Sequence, residues 1–359
     1  MTSPPSPRRA LVVGSTGLVG NNLADRLLAD GWSVAGLARK AVARPTGLRP
    51  VTADLLRPDT LGAALAGESF THVFFCTWTR CDTEAENIRV NAAMVRNLLD
   101  AVRPLGGLRH VALVTGLKHY LGPFESYGKG NLPDTPFREE QGRLPVENFY
   151  YAQEDEVFAA AARDGFTWTV HRPHTIIGFT VGNAMNMGVT LAAYASLCKH
   201  VGRPFLFPGS PQQWNGMTDV TDARLLARHL EWAATTPAAA DRAFNVVNGD
   251  LFRWRWLWPR LAAYFGVAAA EYPAHPTPLV AQMAGDTGPW ADLARKHGLA
   301  EPDLGRLTSA WHTDADLGRP MEVMADMSRS RRLGFSVYQT SLDSFTDLFG
   351  RLRRERLIP

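Results

Sequence analysis

The chain has 359 residues, 45% of them hydrophobic and 20% charged, enough for one large domain or two closely packed ones and far from a disordered composition. Its 38 Lys and Arg against 35 Asp and Glu leave a formal charge of +3, too near balance for the electrostatic footprint of a nucleic-acid or anionic-membrane binder. Cys76, Cys81 and Cys198 are too few and scattered for a disulfide framework, and none forms a Cys-x-x-Cys pair, so a reducing, cytoplasmic setting is expected.

Residues 1–9 carry three prolines and two arginines without an apolar stretch, and read as a loose tail rather than a signal peptide. Residues 10–13 are a short apolar run leading into glycines and then an amphipathic stretch at 23–28, the order strand, loop, helix. Further strands are expected at 33–38, 73–76, 111–114, 167–170 and 244–247, separated by helical-length segments such as 84–102 and 147–163. Cys76 ends one of these apolar runs and is expected to be a buried thiol, not a nucleophile. Strands alternating with helices predict an α/β fold with a doubly wound parallel sheet of the Rossmann type. After His171, Arg172 and Pro173 the pattern changes to loops, a helix at 187–199 and a Pro- and Trp-rich remainder; its apolar core at 188–198 is too short to span a membrane. We therefore expect a nucleotide-binding domain from 8–176 and 216–251, and a smaller, discontinuous substrate-covering domain from 177–215 and 252–359. Asp219 and Asp222 precede an expected helix at 223–234 and read as capping residues.

Gly14, Gly17 and Gly20 recur at three-residue spacing directly after the first strand. In this dinucleotide fingerprint the first glycine makes the tight turn, the second admits the pyrophosphate and the third lets helix and strand pack closely. Gly14, Thr16, Gly17, Leu18 and Gly20 are thus candidate cofactor residues. The second strand ends in Arg39 and Lys40, where NAD-selective loops carry an acid for the ribose 2′-hydroxyl; two cations there favour a 2′-phosphate, hence NADPH. No His, Asp or Glu spacing suggests a metal site, and no Ser nucleophile elbow occurs.

The common short-chain dehydrogenase pattern places Lys four residues after Tyr on one helix. Here the residue four after Tyr150 is Glu154, and the nearest candidate ammonium is Lys118, in the run Lys118, His119, Tyr120, Leu121, Gly122, Pro123, Phe124. Together with Phe149-Tyr150-Tyr151, Thr77-Trp78, Glu84-Ala85-Glu86-Asn87, His171-Arg172-Pro173, Cys198-Lys199-His200 and the run 244–250, these motifs make the chain resemble the progesterone 5β-reductase and iridoid synthase-like enone reductases over nearly its whole length. They are a divergent branch of the extended short-chain dehydrogenases.

The resemblance implies an oxidoreductase that performs NADPH-dependent 1,4-reduction of the C=C bond of a small α,β-unsaturated carbonyl, without nucleic-acid or membrane partners; a homodimer is left open. It assigns Tyr150 as the donor to the developing enolate, with Tyr151 as its neighbour, and Lys118 as the second catalytic residue. It adds Asp54, Leu55, Thr77, Trp78, Val114, Ile176, Asn183, Ala184 and Met185 as cofactor contacts, Tyr150 also facing the nicotinamide, and Trp78, Phe124, Met185 and His312 as substrate contacts. Tyr127 and Phe179 are further candidate apolar walls, His312 and Asp316 suggest a more polar pocket than in plant relatives, and His119 reads as a structural imidazole. The alternative is a carbonyl reductase or nucleotide-sugar epimerase or dehydratase on the same fold, which would normally retain the Lys that Glu154 replaces.

Overall fold

The computed structural model describes residues 8–44, 46–123, 126, 133–182 and 185–359. Its centre is a seven-stranded parallel sheet formed by β1 (Arg9–Val13), β2 (Ser33–Ala38), β3 (Arg49–Thr52), β4 (His72–Phe75), β5 (His110–Val114), β6 (Thr167–Pro173) and β9 (Arg242–Val246), in the order β3-β2-β1-β4-β5-β6-β9. Between β6 and β9 in sequence, β7 (Ile176–Ile177) and β8 (Thr221–Asp222) form a separate parallel pair that the sequence pattern does not announce.

Both faces of the sheet are covered, so its strands are nearly continuous apolar runs. Successive side chains point to opposite faces. Leu11, Val13, Val73, Phe75, Val111 and Leu113 enter one core with the helices Glu84–Val102 and Phe149–Asp164. Ala10, Val12, Phe74, Ala112 and Val114 enter the other with Leu18–Ala29 and Ala223–Thr235. A third core surrounds the helix Met187–Val201, whose residues from Met187 to Cys198 are all buried, and includes Trp254, Trp258, Trp290, Phe345 and Phe349. Within it Phe205 stacks on Trp258 at 3.9 Å, and the Trp258 indole N–H donates to the Phe205 carbonyl at 3.0 Å. Met327 and Phe335, from the C-terminal segment 252–359, pack instead in the sheet's own core. Among the described residues no helix is long and apolar enough to cross a membrane.

Buried imidazoles cross the sheet. His110 shares hydrogen bonds with Thr167 Oγ1 at 2.8 Å and Thr169 Oγ1 at 2.9 Å; the same Thr169 hydroxyl meets His171, whose Nδ1 is 3.1 Å from His229 Nδ1. Burial lowers His72 to about 4, His110 and His229 to about 3, and His171 well below the ordinary value. The folded state therefore refuses protons that the unfolded chain accepts below about pH 6.5, and stability falls on acidification through that range. Glu139 acts in the opposite sense, because burial pushes it up to about 7. The melting temperature should fall between pH 7 and pH 5 less steeply in His110→Gln than in the parent; equal slopes in a thermal melt series would contradict the role given to this group.

Candidate functional site

A cavity of about 1000 Å³ opens at the carboxyl ends of β1, β2, β4, β5 and β6, where Gly14, Arg39, Thr77, Thr115, His174 and their neighbours line it. It lies at the place where the strand order reverses between β1 and β4, the usual ligand crevice of an open α/β sheet. The loop leaving β1 approaches the loop leaving β4 so closely that a Cβ on Gly14 would stand 2.8 Å from Thr77 Cβ and 3.0 Å from the Cys76 carbonyl oxygen, and Gly14 has φ +81°. A Cβ on Gly20 would meet the Gly14 carbonyl oxygen at 2.4 Å, so that glycine serves helix packing and does not line the cavity. The helix that follows begins at Leu18 with Gly17 as its N-cap and no side-chain cap, and Gly17, Leu18 and Val19 line the cavity. Uncapped N–H groups at the positive end of a helix form a cradle for phosphate, which fits a dinucleotide.

Along the same cavity lie Thr16, Arg39, Asp54, Leu55, Thr77, Trp78, Val114, Ile176, Met185 and His312. Asp54 accepts the Leu56 N–H at 3.0 Å, which shapes its loop. Lys40 is exposed and outside the lining, so Arg39 is the nearer of the two cations. Phe124, Tyr127, Asn183 and Ala184 lie outside the described residues. Phe179 does not line the cavity: its ring carries the Arg351 guanidinium at 3.8 Å and its carbonyl accepts from Asn21 and Asn22. Cys76 lines the cavity as a half-buried residue, and desolvation of its thiol raises the pKa, which disfavours a thiolate, as expected of a thiol that is no nucleophile.

Lys118 opens the short helix Lys118–Leu121 after β5, and Tyr150 is the second residue of the Phe149–Asp164 helix; both line the cavity. Asn148 joins them. Its side-chain carbonyl caps the helix by accepting the Tyr150 N–H at 3.0 Å, while its amide donates to the Lys118 carbonyl at 2.7 Å. The Lys118 ammonium, on a side chain 3% exposed, is 3.3 Å from Glu84 Oε2 and 4.8 Å from the Phe149 ring centroid. Phe149 stacks on Trp78 at 5.3 Å. Gly116 lies beside the phenol, where a Cβ would stand 3.4 Å from Tyr150 Oη, an ordinary van der Waals contact.

The neighbouring candidates are occupied elsewhere. The Tyr151 hydroxyl donates to the His119 carbonyl at 2.7 Å and accepts from the Leu144 N–H at 3.0 Å. His119 is buried, pairs with the Gln141 carbonyl at 3.1 Å and is lowered to about 4, first by burial. Neither lines the cavity. Glu154, at the position where a short-chain dehydrogenase carries its Lys, is buried between Arg143 at 2.9 Å and Arg172 at 3.7 Å. An acid stands there, neutralised by its own cations.

The far wall is polar. His174 pairs through Nδ1 with Asp219 at 2.8 Å and through Nε2 with Arg319 at 2.6 Å, and Arg319 also pairs with Asp316. Asp316 accepts the Thr175 hydroxyl at 3.2 Å. Burial opposes its ionisation, but the Arg319 guanidinium beside it outweighs that and holds the carboxyl below its ordinary range. Burial lowers His312, leaving a neutral ring beside them. Asp222 caps its helix by accepting the Arg224 N–H at 2.7 Å, whereas Asp219 is no cap: it is fully buried and accepts the Ala325 N–H at 2.8 Å as well as holding His174. Asn148 was findable from the preference for Asn before a helix. Gly116, His174 and Arg319 join the site by tertiary contact and have no local signal, and Glu84, part of a motif that carries the resemblance, has no role assigned by it.

Comparison with known proteins adds to this geometry. The family model described as a PRISE-like Rossmann-fold domain matches residues 64–359. An (S)-8-oxocitronellyl enol synthase of Nepeta cataria is 39% identical, covering 98% of this chain and 93% of the relative. A 3-oxo-Delta(4,5)-steroid 5-beta-reductase of Arabidopsis thaliana is 39% identical with the same coverage. Among solved structures, a putative epimerase from Burkholderia cenocepacia matches with a TM-score of 0.66 at 19% identity, covering 98% of this chain and 100% of that one. A short-chain dehydrogenase/reductase superfamily protein from Agrobacterium tumefaciens matches with a TM-score of 0.64 at 16% identity, covering 98% of each chain. At those identities the two structures speak for the fold alone.

Gly14→Ala tests the cradle. The new Cβ strains a positive-φ residue at a cost of about 1–3 kcal/mol and pushes against Thr77, so dinucleotide affinity measured by fluorescence titration should collapse. Affinity equal to the parent's would show that the approach of these two loops does not form the binding site.

Proposed function

Because this chain belongs to the PRISE-like Rossmann-fold family, we propose that it is an NADPH-dependent enone reductase, adding hydride to the β-carbon of a small α,β-unsaturated carbonyl. The observation that carries the proposal is that Tyr150 and Lys118 line the cavity that also holds the glycine cradle, whereas Tyr151, His119 and Glu154 do not line it. The relatives named as an enol synthase and as a reductase of 3-oxo-Delta(4,5)-steroids point to the same chemistry, a C=C bond conjugated to oxygen.

Gly14, Thr16, Gly17 and Leu18 would hold the pyrophosphate of NADPH, Arg39 with Lys40 its 2′-phosphate, Asp54 and Leu55 its adenine, and Thr77, Trp78, Val114, Ile176 and Met185 its nicotinamide half. When bound, NADPH supplies the hydride. As the β-carbon accepts it, electron density moves to the carbonyl oxygen, and a donor already in place stabilises the resulting enolate. The Tyr150 hydroxyl gives that hydrogen bond, and the Lys118 charge favours the same oxygen or orients the phenol. Trp78, Met185 and His312 line the substrate end. A carbonyl reductase or epimerase of the ordinary type is disfavoured by Glu154, which the two arginines hold where an ammonium would be needed.

Two results test this reading. Tyr150→Phe keeps the ring and removes only the donor, so turnover of 2-cyclohexenone should fall on the order of 10²–10³-fold with NADPH binding intact. Parent-like turnover would remove Tyr150 from the mechanism. Replacing Arg39 and Lys40 with Ala should weaken NADPH by about 1.5–3 kcal/mol and leave NADH almost unaffected; equal losses for both cofactors would reject the 2′-phosphate assignment.

A further inference from the structure

Glu84 is absent from the cavity lining, yet its carboxylate touches both parts of the proposed catalytic pair's support. Oε2 is 3.3 Å from Lys118 Nζ and accepts from Asn87 Nδ2 at 3.2 Å; Oε1 accepts the Phe149 N–H at 2.8 Å. Phe149 is the first residue of the helix that carries Tyr150, and its N–H is one of the groups that a helix start leaves without an intrahelical partner. Glu84 itself is the first residue of the helix Glu84–Val102, capped by Thr83. One side chain, 12% exposed, thus ties the Lys118 ammonium to the turn from which the Tyr150 phenol projects.

We propose that Glu84 is a positioning residue for the reduction: its carboxylate sets Lys118 and the first turn of the Tyr150 helix in one arrangement, so that ammonium and phenol act on the same oxygen. This rests on the enone-reductase reading above. Asn148 reinforces the link through the backbones of Lys118 and Tyr150, and Glu84 reaches the ammonium and the helix start with the two oxygens of a single carboxylate. Glu84→Gln retains the length of the side chain and an acceptor for the Phe149 N–H, and replaces the anionic partner of Lys118 with a neutral amide.

The experiment is a double-mutant cycle with 2-cyclohexenone and NADPH, using the parent, Glu84→Gln, Lys118→Ala and the combined variant. Glu84→Gln should lower kcat on the order of 10–100-fold by misplacing the donors, with KM for the enone and NADPH affinity unchanged. In the Lys118→Ala background the same substitution should cost nothing further, because Glu84 acts through that ammonium. Parent-like kcat in Glu84→Gln alongside an impaired Lys118→Ala overturns the role of Glu84 alone, and so do losses that multiply in the combined variant. Parent-like turnover in Lys118→Ala instead overturns the enone-reductase assignment of that residue, and this proposal with it. Should Glu84→Gln not fold, Glu84→Asp, which draws the carboxylate back by one methylene from both Lys118 and the Phe149 N–H, takes its place: it should lower kcat with KM unchanged, and parent-like kcat beside an impaired Lys118→Ala overturns the role of Glu84.

Discussion

The start of the Phe149–Asp164 helix is the constraint on which the rest of the site depends. Its first N–H groups need partners from outside the helix, and they find them in side chains that also hold Lys118: Glu84 for Phe149 and Asn148 for Tyr150. Capping the helix and placing the two donors are therefore one act of folding. The Tyr-x-x-x-Lys arrangement achieves a similar result along one helix face; here the ammonium comes from the segment after β5, and the position four residues after Tyr150 is free to hold Glu154 in a buried pair with Arg143 and Arg172. Such a buried acid is tolerable only because both cations are present, since removal of either partner from a buried pair leaves an uncompensated charge.

A second constraint sets the other half of the cavity. The loop after β4 lies so close to the loop after β1 that only glycine fits at Gly14, the following helix lies so close to the Gly14 carbonyl that only glycine fits at Gly20, and an uncapped helix start reaches the crevice. The far wall follows a different principle. Asp219, His174, Arg319 and Asp316 form a chain of polar partners in which each side chain is hydrogen-bonded to the next, and this fixes the His174 to Arg319 side of the cavity in one hydrogen-bonding pattern.

Much of the fold was legible in the sequence because buried parallel strands are written locally. Residues 10–13, 33–38, 73–76 and 111–114 read as apolar runs and fall within a residue of β1, β2, β4 and β5, and the stretch 84–102 has the bounds of its helix. The glycine loop was legible for the same reason: its turn, approach and packing are backbone demands that only glycine meets. What escaped depends on distance along the chain. Asp219 has the look of a cap and is a buried partner of a histidine 45 residues earlier; Phe179 has the look of a pocket wall and lies under Arg351; the pairing of Glu84 with Lys118 spans 34 residues. No periodicity or short spacing encodes such contacts.

The central claim is that the paired donors stabilise an enolate oxygen and so direct hydride to carbon rather than to the carbonyl. The most direct measurement is NMR of the product formed from 2-cyclohexenone with NADPH carrying deuterium in its transferable position. The account predicts a saturated ketone with the deuterium on the β-carbon. Deuterium on the carbinol carbon of an allylic alcohol would contradict it.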